Sequence, residues 1–205
     1  MKKFILASAS SRRKSLLEKI GVPFTAIESN LDEQAEVDND YSPYEWVKAV
    51  AAKKGHAVFD KTDVEPDTVI ISADTIVTDM GKILHRPKTK EEARKMLSSI
   101  SGRKHTVYTG LTLIFVGADG KIENEESFVD ATDVYMHKLT DDEIEAYIST
   151  DEPYDKAGGY GIQGKGALLI ESIYGDYYTV VGLPLAILYR GLKRNGVDIL
   201  DFWKN

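Results

Sequence analysis

The sequence predicts an α/β fold built on a mixed sheet, and three observations carry that prediction. Short apolar, β-branched runs alternate with helical segments from residues 4–7 onward. Two of these runs, about 106–116 and 126–136, flank Ala118-Asp119-Gly120-Lys121 and read as an antiparallel hairpin, so the sheet cannot be all-parallel. The 205 residues hold no repeat, low-complexity tract or interdomain linker, and so read as one α/β domain, 1–205, bilobed around a central cleft.

The elements follow in order. Residues 4–7 suit a buried strand. A helix starts at about Ser11, with Leu16, Leu17 and Ile20 on one face and Gly21 as its stop. It opens with Arg12, Arg13 and Lys14, which the positive end of a helix disfavours. An anion docked on the free N–H groups there would remove the conflict, and a solvated basic face is the equally ordinary reading. Segment 28–40 holds six acids and no base and reads as a solvated loop, although Asp32 or Glu33 could join a second carboxylate to hold Mg²⁺. Ser42-Pro43-Tyr44-Glu45 is a helix start, with Ser as N-cap, Pro first and Glu at the third position, and the helix runs to about Phe59. Residues 69–73 form a second buried strand ending at Asp74-Thr75. A carboxylate at that end is where an open α/β sheet carries catalytic or metal-binding acids, and is also a common turn residue. Thr89-Lys90-Glu91-Glu92 opens a helix that stops at Gly102, before the hairpin. Thr140-Asp141-Asp142-Glu143 opens another, ended by Pro153. A strand at 167–173 turns at Gly175 and returns through Val180-Val181, and Pro184 starts the last helix, to about Arg194.

Composition excludes several functions. With 26 Lys and Arg against 33 Asp and Glu, the net charge of −7 argues against binding a nucleic-acid polymer, which needs a broad basic face. There is no cysteine, so disulfides, thiolate metal sites and a Cys nucleophile are excluded. Lys2-Lys3, residues 4–7 and Ala7-Ser8-Ala9 mimic a signal peptide, but about four apolar residues fall short of the roughly 7–15 such a segment needs. No run approaches the roughly 20 apolar residues of a membrane span, so the expectation is a soluble, cytoplasmic protein.

The densest candidate site is the stretch 158–166, five glycines in nine residues. Gly159, Gly161 and Gly164 satisfy G-x-G-x-x-G, but a helix and Pro153 precede them and a strand follows, the wrong context for a dinucleotide fold. The stretch is either a strained connection or, given Gln163 and Lys165, a binding loop. Gln163 offers the paired donor and acceptor that read a nucleobase edge. The four histidines lack metal-ligand spacing, and there is no P-loop and no nucleophile elbow. Among the 11 tyrosines, Tyr177 and Tyr178 stand out for their place beside Asp176 and near the glycine stretch.

Taken together, five segments resemble the Maf family of nucleoside triphosphate pyrophosphatases. Ser8-Ala9-Ser10-Ser11-Arg12-Arg13 is similar to its S-x-S-x-R-R signature, Ala73-Asp74-Thr75 to its A-D-T motif, and Ser101-Gly102-Arg103-Lys104-His105-Thr106-Val107 to its S-G-R-x-H-x-V stretch. Residues 155–164 and 175–184 complete the set in family order. The resemblance implies a Maf/inosine-triphosphatase-like fold and hydrolysis of a nucleoside triphosphate to monophosphate and pyrophosphate with a divalent cation, Mg²⁺ or Mn²⁺. By position, Asp74 becomes the proton acceptor for the attacking water, and Glu33 a catalytic carboxylate holding metal with Asp74. Ser8, Arg12 and Arg13 become triphosphate ligands, and Lys54 falls at the family's second-helix lysine. The Y-G-I-Q-G form resembles the branch acting on dTTP and UTP, in which Arg12, Thr75 and Gln163 are linked to substrate choice; modified pyrimidine nucleotides are further candidates. The family's Gly-Lys-Pro is here His85-Arg86-Pro87, so the lysine's role passes to Arg86. A homodimer is implied too. Two other readings remain: a non-hydrolysing nucleotide-binding regulator of cell division and septum formation, and a nucleotidyltransferase.

Overall fold

The computed structural model describes residues 2–31 and 40–204, so Asp32 and Glu33 lie outside the described residues. In chain order the elements are β1 (Lys3–Leu6), α1 (Ser11–Lys19), β2 (Thr25–Ala26), α2 (Pro43–Lys61), β3 (Thr68–Asp79), β4 (Lys82–Leu84) and α3 (Lys90–Ile100). There follow β5 (Lys104–Val116), β6 (Ile122–Met136), α4 (Asp141–Ile148), β7 (Ile170–Tyr174), α5 (Tyr177–Val181) and α6 (Leu185–Arg194). Seven strands form one sheet in the order β2-β1-β3-β5-β6-β7, with β4 on β3. β1 runs parallel to β2 and β3, while β4 and β7 pair antiparallel with β3 and β6, so the sheet is mixed, as the hairpin requires. Among the described residues no helix is long and apolar enough to cross a membrane.

The chain divides into two compact units, the first Met1–Asp74, Gly110–Val129 and Gly182–Asn205, the second Thr75–Thr109 and Asp130–Val181. In the first unit α2 is the key element. Ser42 and Glu45 form a reciprocal capping box with Pro43 in the first turn, so the helix start is fixed by local chemistry. Trp46, Val47, Val50, Ala51, Lys54, Gly55 and Val58 are its buried residues, a 3–4 spacing that lays one face on the sheet. The approach is close. A Cβ on Gly110 of β5 would stand 2.2 Å from the Val47 carbonyl oxygen, and one on Gly55 would stand 2.8 Å from Ile114 Cδ1. Ser72 Oγ of β3 donates to the Ala51 carbonyl at 2.7 Å, tying strand to helix. Val58 packs with Ile5, Ala7, Ile70 and Ile114.

In the second unit α3 and α4 bury Ala93, Leu97, Ile100, Ile144, Tyr147 and Ile148 against Val107, Val134 and Met136 of the sheet. Both helices start at the expected threonines, Thr89 accepting from Glu92 N and Thr140 from Glu143 N.

Three expectations are corrected. The strand expected to end at Asp74 continues to Asp79, because Thr75-Ile76-Val77-Thr78 goes on as β-branched strand, turns at Met80-Gly81 and returns as β4. What ends near Asp74 is its parallel neighbour, since β1 pairs β3 only as far as Leu6 opposite Ile71. The strand expected at 167–173 begins at Ile170, after a 3₁₀ helix Gly164–Leu169. The return strand at Val180-Val181 is instead α5. There the Asp176 carboxylate accepts from Tyr178 N at 2.8 Å, and Thr179 Oγ1 donates to Asp130, so local hydrogen bonds outweigh the β-branched side chains.

Candidate active site

Three features converge within the first unit. Leu6 opposite Ile71 is the last pair between β1 and β3, so Ser8 follows the carboxyl end of β1 and Asp74 lies within β3 just past the parallel pairing, the end of a parallel pair where open α/β sheets carry their chemistry. Ser8 lies in the turn into α1 and is buried. Its Oγ accepts from Ser10 N at 3.2 Å and from Arg13 Nη1 at 3.2 Å. With both lone pairs engaged, the hydroxyl has its own proton left to give, the right polarity for an anionic oxygen. The first turn of α1 contains no acid and its N-cap, Ser10, makes no side-chain cap, so the backbone N–H groups there have the same polarity.

The two arginines of that turn differ. Arg13 is buried, its Nε donating to the Gly182 carbonyl at 2.8 Å, so it braces the turn against the segment before α6. Arg12 is half-buried. The basic run is therefore not a uniform solvated face.

Asp74 and Lys54 form a buried ion pair, 4% and 8% exposed, with Nζ to Oδ1 at 2.8 Å. The α2–β3 packing through Gly55 and Ser72 brings them together. The other carboxylate oxygen, Oδ2, is buried with no hydrogen-bond partner among the described residues. A buried anionic oxygen without a donor is costly unless a proton, a water or a cation meets it. It is a hard oxygen donor of the kind Mg²⁺ and Mn²⁺ take. Among the described residues no group of three or more His, Cys, Asp and Glu forms a metal cage. Glu33, the other expected metal carboxylate, lies outside the described residues.

The second unit holds the remaining expected residues. Thr75 is half-buried, its Oγ1 2.9 Å from Thr109 Oγ1. Thr109 Oγ1 donates to the Thr179 carbonyl at 2.7 Å, so its one proton is committed and Thr75 is the donor of the pair. Arg86 is exposed between a buried Pro87 and His85, whose carbonyl accepts from Gly158 N at 3.1 Å. Gln163 is half-buried and extended (φ −103°, ψ 161°) just before the 3₁₀ helix. Two residues here went unread in the sequence, Thr109 and Glu152, and His105 stands in the S-G-R-x-H-x-V stretch with no role given to it. Glu152 accepts from the backbone of Lys165 and Gly166. His105, 2% exposed, meets Tyr160 Oη at 2.5 Å through Nε2. Burial pushes its imidazole down to about 4, against the pull of Asp79 and Asp133. No spacing rule would have found Thr109, whereas Glu152 could have been suspected as an acid a few residues ahead of a glycine loop.

A mixed α/β chain with a buried carboxylate–ammonium pair, just past the end of a parallel strand pairing and its donor-rich turn, is of the class that handles anionic, phosphate-type ligands. The model of the Maf family, described as Maf-like protein, matches residues 3–195, and this chain belongs to that family. Among its curated relatives are proteins named dTTP/UTP pyrophosphatase. The one from Halalkalibacterium halodurans is 48% identical over 196 residues, 96% of this chain and 97% of the relative. That from Bacillus cytotoxicus is 46% identical over 194 residues, 95% and 96% of the two chains. That from Agathobacter rectalis is 44% identical over 209 residues, 97% and 100%. A solved structure, the Staphylococcus aureus Ham1 protein, is 17% identical with a TM-score of 0.43 over 82% of this chain and 80% of that one, a likeness too distant to bear on function.

Proposed function

We propose that this chain hydrolyses dTTP and UTP to the monophosphate and pyrophosphate. The observation that carries the reading is Asp74, a buried carboxylate with one oxygen locked by Lys54 and the other without a donor among the described residues. The names of its relatives support the choice of substrate. The reaction breaks the α–β phosphoanhydride of the nucleotide. Water supplies the new oxygen and one proton passes to Asp74 Oδ2, the work of a positioned general base. Lys54 holds Oδ1 and fixes the carboxylate plane, so that Oδ2 is the oxygen that acts. Ser8 Oγ–H and the α1 N–H groups donate to phosphate oxygens, Arg12 adds charge, and Arg13 shapes the turn that presents Ser8. Asp74, with Glu33 by resemblance, would hold a Mg²⁺ or Mn²⁺ ion, which when bound neutralises phosphate charge. Arg86 stands for the family's lysine on the developing charge. Thr75 and Gln163 select the pyrimidine, the Gln163 amide offering a donor and an acceptor to an imide edge.

The whole chain, 1–205, acts as one catalytic domain, in the cytoplasm and as a homodimer; light scattering of the purified protein tests the last point. The test of activity is incubation with each canonical triphosphate, with Mg²⁺, Mn²⁺ or neither, and separation of products by anion exchange. Monophosphate and pyrophosphate from dTTP and UTP, well ahead of CTP and the purines, is the expected result. Binding of dTTP without turnover would instead favour a nucleotide-binding regulator.

A further inference from the structure

The glycine stretch poses a question that the proposed function leaves open. Gln163 sits in an irregular connection, yet a side chain that reads a base must be held to within a fraction of an ångström. The stretch also has the look of a phosphate cradle, with consecutive N–H groups after glycines. The structure fills that cradle with a residue of the chain itself. Lys165 N donates to Glu152 Oε1 at 3.0 Å and Gly166 N donates to Glu152 Oε2 at 3.2 Å, two successive backbone donors on one carboxylate.

Two glycines let the turn close on this carboxylate. A Cβ on Gly164 would stand 2.8 Å from Glu152 Oε1, at a backbone φ of +70° that disfavours side chains in any case. A Cβ on Gly166 would stand 2.4 Å from the Gly161 carbonyl oxygen, so the turn can close only with glycine there. Glu152 is itself held. Its N–H donates to Thr150 Oγ1 at 3.3 Å, and its carbonyl accepts from Lys156 Nζ at 2.7 Å. Burial pushes its carboxyl up, but the two N–H groups, with Lys156 and Lys165, outweigh that and hold it below the ordinary value, so it stays ionised through the neutral range. The other end of the stretch is anchored separately, by Tyr160 Oη on His105 Nε2 and by Gly158 N on the His85 carbonyl.

We propose that Glu152 is a positioning residue for base recognition: its carboxylate occupies the anion-binding turn of the glycine loop and thereby fixes Gln163. The turn Gly164–Gly166 is then not a phosphate site, because it serves an internal anion. The proposal rests on the reading that Gln163 selects the pyrimidine.

The experiment uses the full chain and steady-state kinetics on dTTP, UTP and CTP for Gln163→Ala, Glu152→Ala, Glu152→Gln and the double variant Glu152→Ala/Gln163→Ala. Glu152→Gln keeps the size and one carbonyl acceptor, so it decides the matter if Glu152→Ala is poorly folded. Gln163→Ala is expected to reduce the preference for dTTP over CTP. The Glu152 variants should shift the same ratio in the same direction and raise KM for dTTP roughly 10- to 100-fold, with kcat changed far less. The double variant should discriminate no worse than Gln163→Ala alone. If Gln163→Ala loses discrimination while both Glu152 variants keep the parent KM and ratio, the positioning role is overturned and Glu152 serves the fold alone. If Gln163→Ala leaves the ratio untouched, the reading of Gln163 falls first and takes this role with it.

Discussion

Replacing Lys54 by Met tests the centre of the site through stability rather than rate. The substitution keeps the length and apolar stem of the side chain and removes one charge. At the observed 2.8 Å and an effective dielectric of about 20, the attraction between Nζ and Oδ1 is about 6 kcal/mol, offset in part by desolvation of both ions. What the variant leaves behind matters more: a carboxylate only 4% exposed without its cation. Breaking a buried pair from one side costs about 3–5 kcal/mol, a large share of the roughly 5–15 kcal/mol that holds a domain folded. Asp74→Asn strands the ammonium instead and should cost a comparable amount. The double variant Lys54→Met/Asp74→Asn removes both charges, and should cost less than the sum of the two single variants by a coupling on the order of 2–3 kcal/mol. Urea unfolding followed by tryptophan fluorescence reads this directly, because Trp46 is 5% exposed on the same helix as Lys54. A Lys54→Met protein within about 1 kcal/mol of the parent, or strict additivity in the double variant, would refute the argument that the two charges are buried as a pair.

Two further outcomes follow from geometry and burial. Gly110→Ala should cost about 3 kcal/mol or more, or prevent folding, since its Cβ would lie 2.2 Å from a backbone oxygen of α2; Gly81→Ala, with nothing within 4 Å but a φ of +79°, should cost only about 1 kcal/mol, and thermal melts of the pair separate the two cases. His105 is neutral in the folded chain down to about pH 4 and titrates near 6.5 once unfolded, so the unfolded state binds the extra proton between those values; its contribution to stability is complete above about pH 6.5 and falls by about 3 kcal/mol as pH drops through the window, a contribution that His105→Asn should remove in urea titrations at stepped pH, leaving the smaller slope of the carboxylates at the acid end.

Much of this fold could be read from local chemistry. The Ser42–Glu45 and Thr140–Glu143 boxes are written in four residues each, and the Asp119-Gly120 turn announces the hairpin. Such signals are short-range, so the sequence carries them whole. The misreadings lie where pairing with another segment, near or far, decides. Thr75–Asp79 continues as strand because β4 returns along it, and β4 is three residues long, too short to carry a pattern. Tyr177–Val181 has the composition of a strand and becomes helical through Asp130 and Asp176. The site divides the same way. Asp74, Ser8 and Gln163 are visible in motifs, while the pairing of Lys54 with Asp74 spans 20 residues and depends on how α2 lies on β3. Glu152 reaches across 13 and 14 residues to its two N–H groups, and no periodicity points to it.

The central claim is that Asp74 is the base in a reaction that yields pyrophosphate. Its most direct test is anion-exchange analysis of the products of dTTP and UTP from the parent chain and from Asp74→Asn, run side by side with Mg²⁺ or Mn²⁺. The account predicts monophosphate and pyrophosphate in equal amounts from the parent, and a loss of about 10²- to 10⁴-fold in kcat for Asp74→Asn. Diphosphate with inorganic phosphate from the parent, or an Asp74→Asn protein with full activity, would contradict it.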